Sequence, residues 1–255
     1  MIRLAGPEAQ ALRGVACGAD PFGCRIVTAL RAYGQTGPAE VWLQTRGGRI
    51  SAALCRVDGE VTLCAGHAAD KELLGFLSFL GCRSILLPRG ILPAGWGTIA
   101  ESGWVMRWRG EPGLGAANTT APTVRSLFSL LTAAGLVSPD DGVYADLSHK
   151  LRHGLVRASG RVDAKGELLS CAMTVAESHG AAVIGGVATL PGQRGKGFAG
   201  ELVRGMASAL TAEGKQVFLF CRGDLVSFYR RLGFRAEREW ENRTGDCGGA
   251  DAGVQ

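Results

Sequence analysis

The apolar positions of this chain fall into short runs set off by turn formers, interleaved with segments of helical spacing. In the first half, strands are expected at 39–43, 49–57 and 60–65. Asp58-Gly59 joins the last two as a tight hairpin, because both residue types tolerate positive φ. Asp70 is placed to cap a helix reaching about 80, with Leu73, Leu74, Leu77 and Leu80 along one stripe. Short strands are expected at 84–87 and 103–109.

The stretch 110–122, GEPGLGAANTTAP, is dominated by small residues and turn formers and reads as a linker. Beyond it, Leu and Phe recur at helical spacing over 124–134, and a second helix covers 144–153 before Gly154. Strands at 155–162, 167–176 and 182–190 are separated by turn-forming stretches, which makes an antiparallel meander. A glycine-rich loop, 191–197, feeds a helix over 198–213 with Leu202, Val203, Met206, Ala209 and Leu210 on one face. A strand at 217–221, a helix at 225–232 and a strand at 234–240 follow. The domains expected are an accessory or degenerate domain at 1–110, a linker at 111–122, a second domain at 123–242 and a disordered tail at 243–255.

The two halves share an order of hairpin, helix, strand and late strand, so a tandem pseudo-duplication is expected. They differ where chemistry would sit. The first-half loop, AGHAAD, has one Gly and no Arg or Lys, whereas PGQRGKG in the second has three Gly, one Arg and one Lys. An anion site is therefore expected only in the second half.

Composition adds limits. Among 255 residues, 39 are Gly and 46% are hydrophobic. Glycine is thus about twofold above its usual ~7% but without collagen's period, and the apolar content excludes disorder for the bulk of the chain. The net charge of +5 is spread without a Lys/Arg block, so nucleic acid is not expected as a partner. The 8 cysteines are scattered with no Cys-x-x-Cys, which reads as reduced thiols and a cytoplasmic protein. No apolar stretch is long enough for a membrane span, so no membrane partner is expected, and Asn118 and Asn242 are not read as glycosylation sites.

A helix N-terminus has unpaired N–H groups and a partial positive charge, which suits phosphate. Gly195 and Gly197 let the backbone approach a pyrophosphate, and Arg194 and Lys196 add charge. Gly195, Gly197 and Gly200 match the letters of the dinucleotide fingerprint, but a preceding meander disfavours a Rossmann unit. On the loop alone, a plain glycine-rich turn stands level with an anion site.

Pro191-x-x-Arg194-Gly195-x-Gly197-x-Ala199, with Phe228-Tyr229-Arg230-Arg231-Leu232-Gly233-Phe234 about thirty residues later, resembles the GNAT N-acetyltransferase superfamily. The run VATLPGQRGKGFAGELV is similar to its glycine-N-acyltransferase-like branch, and the motif match spans about 182–234. The resemblance implies an α/β (α+β) fold, a mixed and mostly antiparallel sheet flanked by helices, with acetyl-CoA as cosubstrate. It implies that Val187, Ala188 and Thr189 bind the pantetheine arm, and that Arg194, Gly195, Lys196, Gly197, Phe198 and Ala199 bind the pyrophosphate. Gly185-Gly186 would bulge the strand and offer an oxyanion contact, and Tyr229 would protonate the departing thiolate. Arg222 stands where the family often has Asn, and would reach a phosphate instead.

The acceptor side is less specified. Glu177 is a candidate base, with an exposed hairpin carboxylate as the alternative. Asp146, His149 and His153 share a helix face, yet no metal is expected there. The leading expectation is transfer of an acetyl group to a small-molecule or peptide amine in a ternary complex. The alternatives are a CoA-binding or metabolite-sensing module with little turnover, and a first half that walls the acceptor cleft.

Overall fold

Three antiparallel strands, a helix and a strand parallel to the third occur twice along the chain. The structure, a computed structural model, describes residues 1–5, 19–34, 38–113, 115–116, 119–139 and 142–244. Its elements are β1 (Ile2–Leu4), α1 (Pro21–Tyr33), β2 (Ala39–Arg46), β3 (Arg49–Val57), β4 (Glu60–Ala65), α2 (Lys71–Leu80), β5 (Ser84–Pro88), β6 (Thr98–Trp108), α3 (Val124–Ala133), α4 (Val143–Arg152), β7 (Ala158–Val162), β8 (Leu168–Glu177), β9 (Ala181–Thr189), α5 (Phe198–Ala212), β10 (Gln216–Cys221), α6 (Val226–Leu232) and β11 (Phe234–Thr244). Among the described residues no helix is long and apolar enough to cross a membrane. The sheet is mixed and mostly antiparallel, and the chain divides into two units.

The first unit comprises Met1–Trp104 and the stretch from Arg238 onward. β2, β3 and β4 form an antiparallel meander, and β4 pairs with β5 in parallel from Glu60↔Ser84 to Thr62↔Leu86. The β3–β4 turn uses Asp58 at φ 49° and Gly59 at φ 80°, the two positive φ values that a two-residue hairpin needs. α2 buries Leu73, Leu77 and Leu80 among Leu54, Leu63, Ile85, Leu87, Ile91 and Leu92. α1, absent from the sequence expectation, starts at Asp20, whose carboxylate accepts the Phe22 and Gly23 N–H groups at 2.9 and 3.3 Å. It buries Phe22, Ile26 and Val27.

The second unit is Val105–Glu237. β7, β8 and β9 form the meander, and β10 lies parallel to β9. α3 buries Leu127, Leu130 and Leu131 against Leu168, Cys171 and Met173, while α5 buries Leu202, Val203, Met206 and Leu210.

The final strand of each half completes the sheet of the other. β11, from the end of the chain, pairs antiparallel with β5 from Trp240↔Pro88 to Thr244↔Ser84. The last residues of β6, which closes the first half, lie beside β10, and Met106 Sδ meets Cys221 Sγ at 3.3 Å.

Two expectations are corrected here. Arg243 and Thr244 are strand residues rather than the start of a disordered tail, because they pair with Ile85 and Ser84; 245–255 lie outside the described residues. Within the stretch expected as a linker, Glu111, Gly113 and Ala116 are laid along α5 in the second unit. Ser208 Oγ donates to Glu111 O at 2.8 Å, and Gly113 N donates to Ser208 O at 3.2 Å. A Cβ on Gly205 would lie 2.2 Å from Ala116 N, so glycine there admits the strap. Thr120 and Gly160 then exchange backbone hydrogen bonds at 2.9 and 2.8 Å.

Candidate active site

A parallel pair that stops early gives the second unit a fork. β9 and β10 pair from Ala181↔Gln216 to Ile184↔Leu219; beyond that β9 continues unjoined to Thr189, and β10 to Cys221. On its other edge β9 stays on β8, with a register shift between Cys171↔Ala188 and Met173↔Gly185. The extra residue falls at Gly186, which has φ 53°, a value that a side chain would strain. Gly185 and Gly186 therefore make the bulge, just past the apex of the fork.

β9 leads through a single 3-10 turn at Pro191–Gln193 into α5. Gly195 and Gly197 have φ 79° and 84°. A Cβ at either would meet nothing within 4 Å, so the backbone there faces open space. Gly197 is the N-cap and supplies no side-chain bond, which leaves the first N–H groups of α5 without a local side-chain acceptor. Lys196 Nζ donates to Gln193 Oε1 at 2.7 Å, and Arg194 Nε to Thr189 O at 3.4 Å. Arg161 of β7 lies 5.5 Å from the Phe198 ring centre and bonds Glu201 at 3.1 Å, bracing the first turn of α5.

The other prong ends at Cys221 and Arg222. The Arg222 side chain is largely exposed, 3.7 Å from Asp224. Tyr229 on α6 is buried, with Phe228 and Phe234 rings at 5.0 and 5.9 Å. Burial, with the nearby Cys221 second, pushes its phenol up to about 12, so it keeps its proton at neutral pH. Burial likewise pushes the Cys171 and Cys221 thiols up to about 11, the first offset in part by a backbone bond and the second helped by Asp224; neither is a ready nucleophile.

Glu177, expected as a candidate base with an exposed hairpin carboxylate as the alternative, is buried rather than exposed. It lies at the closed end of the fork, paired with Ala182, and is 6% exposed. Its carboxylate accepts from Arg157 Nε and Nη2 at 2.8 and 2.7 Å, Lys215 Nζ at 2.6 Å and Thr174 Oγ1 at 2.7 Å. Burial alone would raise its pKa, but the Arg157, Lys215 and Thr174 bonds outweigh that and hold it below the ordinary range. A carboxylate so committed is a poor proton acceptor. Asp146 pairs with Lys150 at 2.8 Å, while the His149 and His153 ring centres lie 4.5 Å apart with the planes tilted by 48°. Among the described residues no group of three or more His, Cys, Asp or Glu is arranged to hold a metal.

The equivalent loop of the first unit, before α2, is closed. At the start of α2 the Asp70 carboxylate accepts Leu73 N–H at 2.8 Å and also meets Gln44 and Arg46. Ala69 N donates to Ile91 O at 2.8 Å, and Ile91 and Leu92 are packed into the core beside Leu63 and Leu87. The anion position at that helix is filled from within.

Residues 164–243 match the family described as FR47-like protein. No curated protein matches the chain by sequence. Solved structures similar to it include a tandem GNAT protein from the clavulanic acid biosynthesis pathway, at 16% identity and TM-score 0.60, covering 98% of this chain and 99% of that one. A GCN5-related N-acetyltransferase from Sphaerobacter thermophilus gives 15% identity and TM-score 0.58, covering 98% and 96%. An acetyltransferase of the GNAT family from Colwellia psychrerythraea gives 11% identity and TM-score 0.58, covering 96% and 100%.

Proposed function

We propose that this chain, which carries the GNAT fold over nearly its whole length with an FR47-like segment inside it, transfers an acyl group from acyl-CoA to an amine. The second unit holds the donor, with acetyl-CoA as the first to test, and the acceptor is a small-molecule or peptide amine. One observation carries the reading: the free edge of β9 past the fork runs straight into an uncapped α5 N-terminus. A pantetheine arm is a strand-like chain of amides that ends in a pyrophosphate, so it suits that edge and that terminus in order.

In this reading Val187, Ala188 and Thr189 line the pantetheine arm. The backbone of Arg194, Gly195, Lys196, Gly197, Phe198 and Ala199 takes the pyrophosphate, and Arg222 lies within side-chain reach of a phosphate at the other prong. The bulge at Gly185-Gly186 turns an N–H out of the ladder toward the thioester carbonyl, where negative charge builds up as the amine attacks. The new bond is N–C and the broken bond C–S. Tyr229, protonated, gives its proton to the leaving sulfur and takes one back from solvent, to which the amine's surplus proton is lost. Glu177 takes no proton in this scheme.

Titration calorimetry with acetyl-CoA tests the first step: one mole bound per mole of chain is expected, and no heat at millimolar ligand would sink the reading. A panel of amines, with the released CoA thiol as signal, tests the second. Binding without thiol release across the panel would leave a CoA-binding module.

A further inference from the structure

We propose that Glu177 and Thr174 are positioning residues that fix the bulge of β9 from the strand behind it; this rests on the acyltransfer reading above. The chain of contacts is short. Ile184, the last β9 residue paired with β10, has Thr174 of β8 as its partner on the other edge. Immediately after Thr174, β8 has a register shift of its own, which makes Val175 the extra residue. Val175 Cγ1 lies 2.7 Å from where a Cβ on Gly185 would be, so the bulged valine rests on the backbone of Gly185. Two bulges on neighbouring strands thus back onto each other, and the second holds the first.

The second bulge is itself held by buried charge. Thr174 Oγ1 donates to Glu177 Oε1 at 2.7 Å and accepts the Arg157 N–H at 2.9 Å. Glu177 is tied further to Arg157 and to Lys215, both of which also meet Glu213. Two cations and two carboxylates face one another, so the cluster is neutral as a set. A buried carboxylate satisfied by three side chains is costly to rearrange. It stands behind the one stretch of β9 whose N–H must be aimed at a thioester oxygen. An error of about 1 Å in such an aim can cost ~10²-fold in rate.

The test compares E177Q, which removes the charge, with T174V, which keeps every charge and removes only the hydroxyl. Hydrogen exchange in the apo chain reads the geometry directly: residues 183–187 exchange about tenfold faster in both variants, while α5 does not change. Unchanged exchange at 183–187 in both overturns the proposal, whatever the activity. In steady-state assays with acetyl-CoA, kcat falls about tenfold in both, with the KM for acetyl-CoA unchanged and the pH profile keeping its shape. An E177Q profile that loses its acid limb makes Glu177 the base and also overturns the proposal. Should E177Q not fold, T174V carries both readouts. A wild-type chain that neither binds nor turns over acetyl-CoA defeats the acyltransfer reading, and the exchange result still decides whether the cluster holds the bulge.

Discussion

Met173 fills the space that a side chain at Gly186 would need: a Cβ there would lie 2.7 Å from its Cγ and 2.8 Å from its Sδ. Gly186 also has φ 53°. Sterics and backbone conformation therefore both require glycine at the bulge. Gly186→Ala should cost about 1–3 kcal/mol of stability. It should lower kcat more than the acetyl-CoA affinity, because the amides that would hold the pyrophosphate lie elsewhere. Denaturant melts and single-turnover rates check the two parts separately.

Tyr229→Phe removes the hydroxyl and leaves the ring packed between Phe228 and Phe234. The rate of thiol release should fall by ~10²–10⁴ with binding little altered. Because the phenol titrates only at about 12, Tyr229 should produce no alkaline limb in the wild-type profile below pH 10. A raised folded pKa also means that its neutral form stabilises the chain below the ordinary value of 10.0, and that this contribution is lost as pH rises toward 12.

Arg161→Met removes the cation over Phe198 and the ion pair to Glu201. Losing a contact of ~0.5–1 kcal/mol at the first turn of α5 should raise the KM for acetyl-CoA about two- to fivefold. Acetyl-pantetheine, which has no pyrophosphate, should show no change.

Asp70 has its pKa lowered from 3.8 to about 2, first by the Leu73 N–H, against a smaller burial effect, and then by Gln44 and Arg46. A depressed carboxylate stabilises the fold above its unfolded pKa, and that stability is lost as pH falls through the folded value. The melting temperature of the wild type should therefore exceed that of Asp70→Asn near pH 6, and the two should converge near pH 2. Asp70→Ala should cost about 1 kcal/mol as a lost helix cap.

Removing residues 1–110 deletes the part of β6 that belongs to the second unit. Met106 against Cys221, and Trp108 against Phe234 at 5.2 Å, go with it. A chain starting at 111 should aggregate, because β10 is left with a bare edge. A chain of 105–237 should stay soluble and keep acetyl-CoA affinity. Light scattering and calorimetry on the two fragments decide it.

How far the fold could be read depended on the range of each signal. The Asp58-Gly59 hairpin, the Asp70 cap and the pattern of meander, helix and strand are local, and the structure has them where local chemistry puts them. α1 was within reach too, since Asp20-Pro21 is a cap followed by proline at the first helical position. The strap at 111–113 and 115–116 could not be read, because the small Ala116 makes sense only against Gly205, far along the chain. Nor could the surroundings of Glu177: Arg157, Thr174 and the Glu213–Lys215 stretch come from three segments, and nothing in the spacing between those segments joins them. The glycine-rich loop was legible because its requirement is for backbone, and backbone conformation is written into glycine positions.

The exchange of final strands bears on how the protein is made. β5 leaves the ribosome before any of the second unit is made, but the partner of its outer edge, Trp240–Thr244, is synthesised only after that unit. The first unit must wait through the translation of the whole second unit with β5 uncovered, then close its sheet at nearly the moment the second unit gains Phe234. The two halves are therefore born in sequence and completed together, and a message that stops short of β11 yields neither.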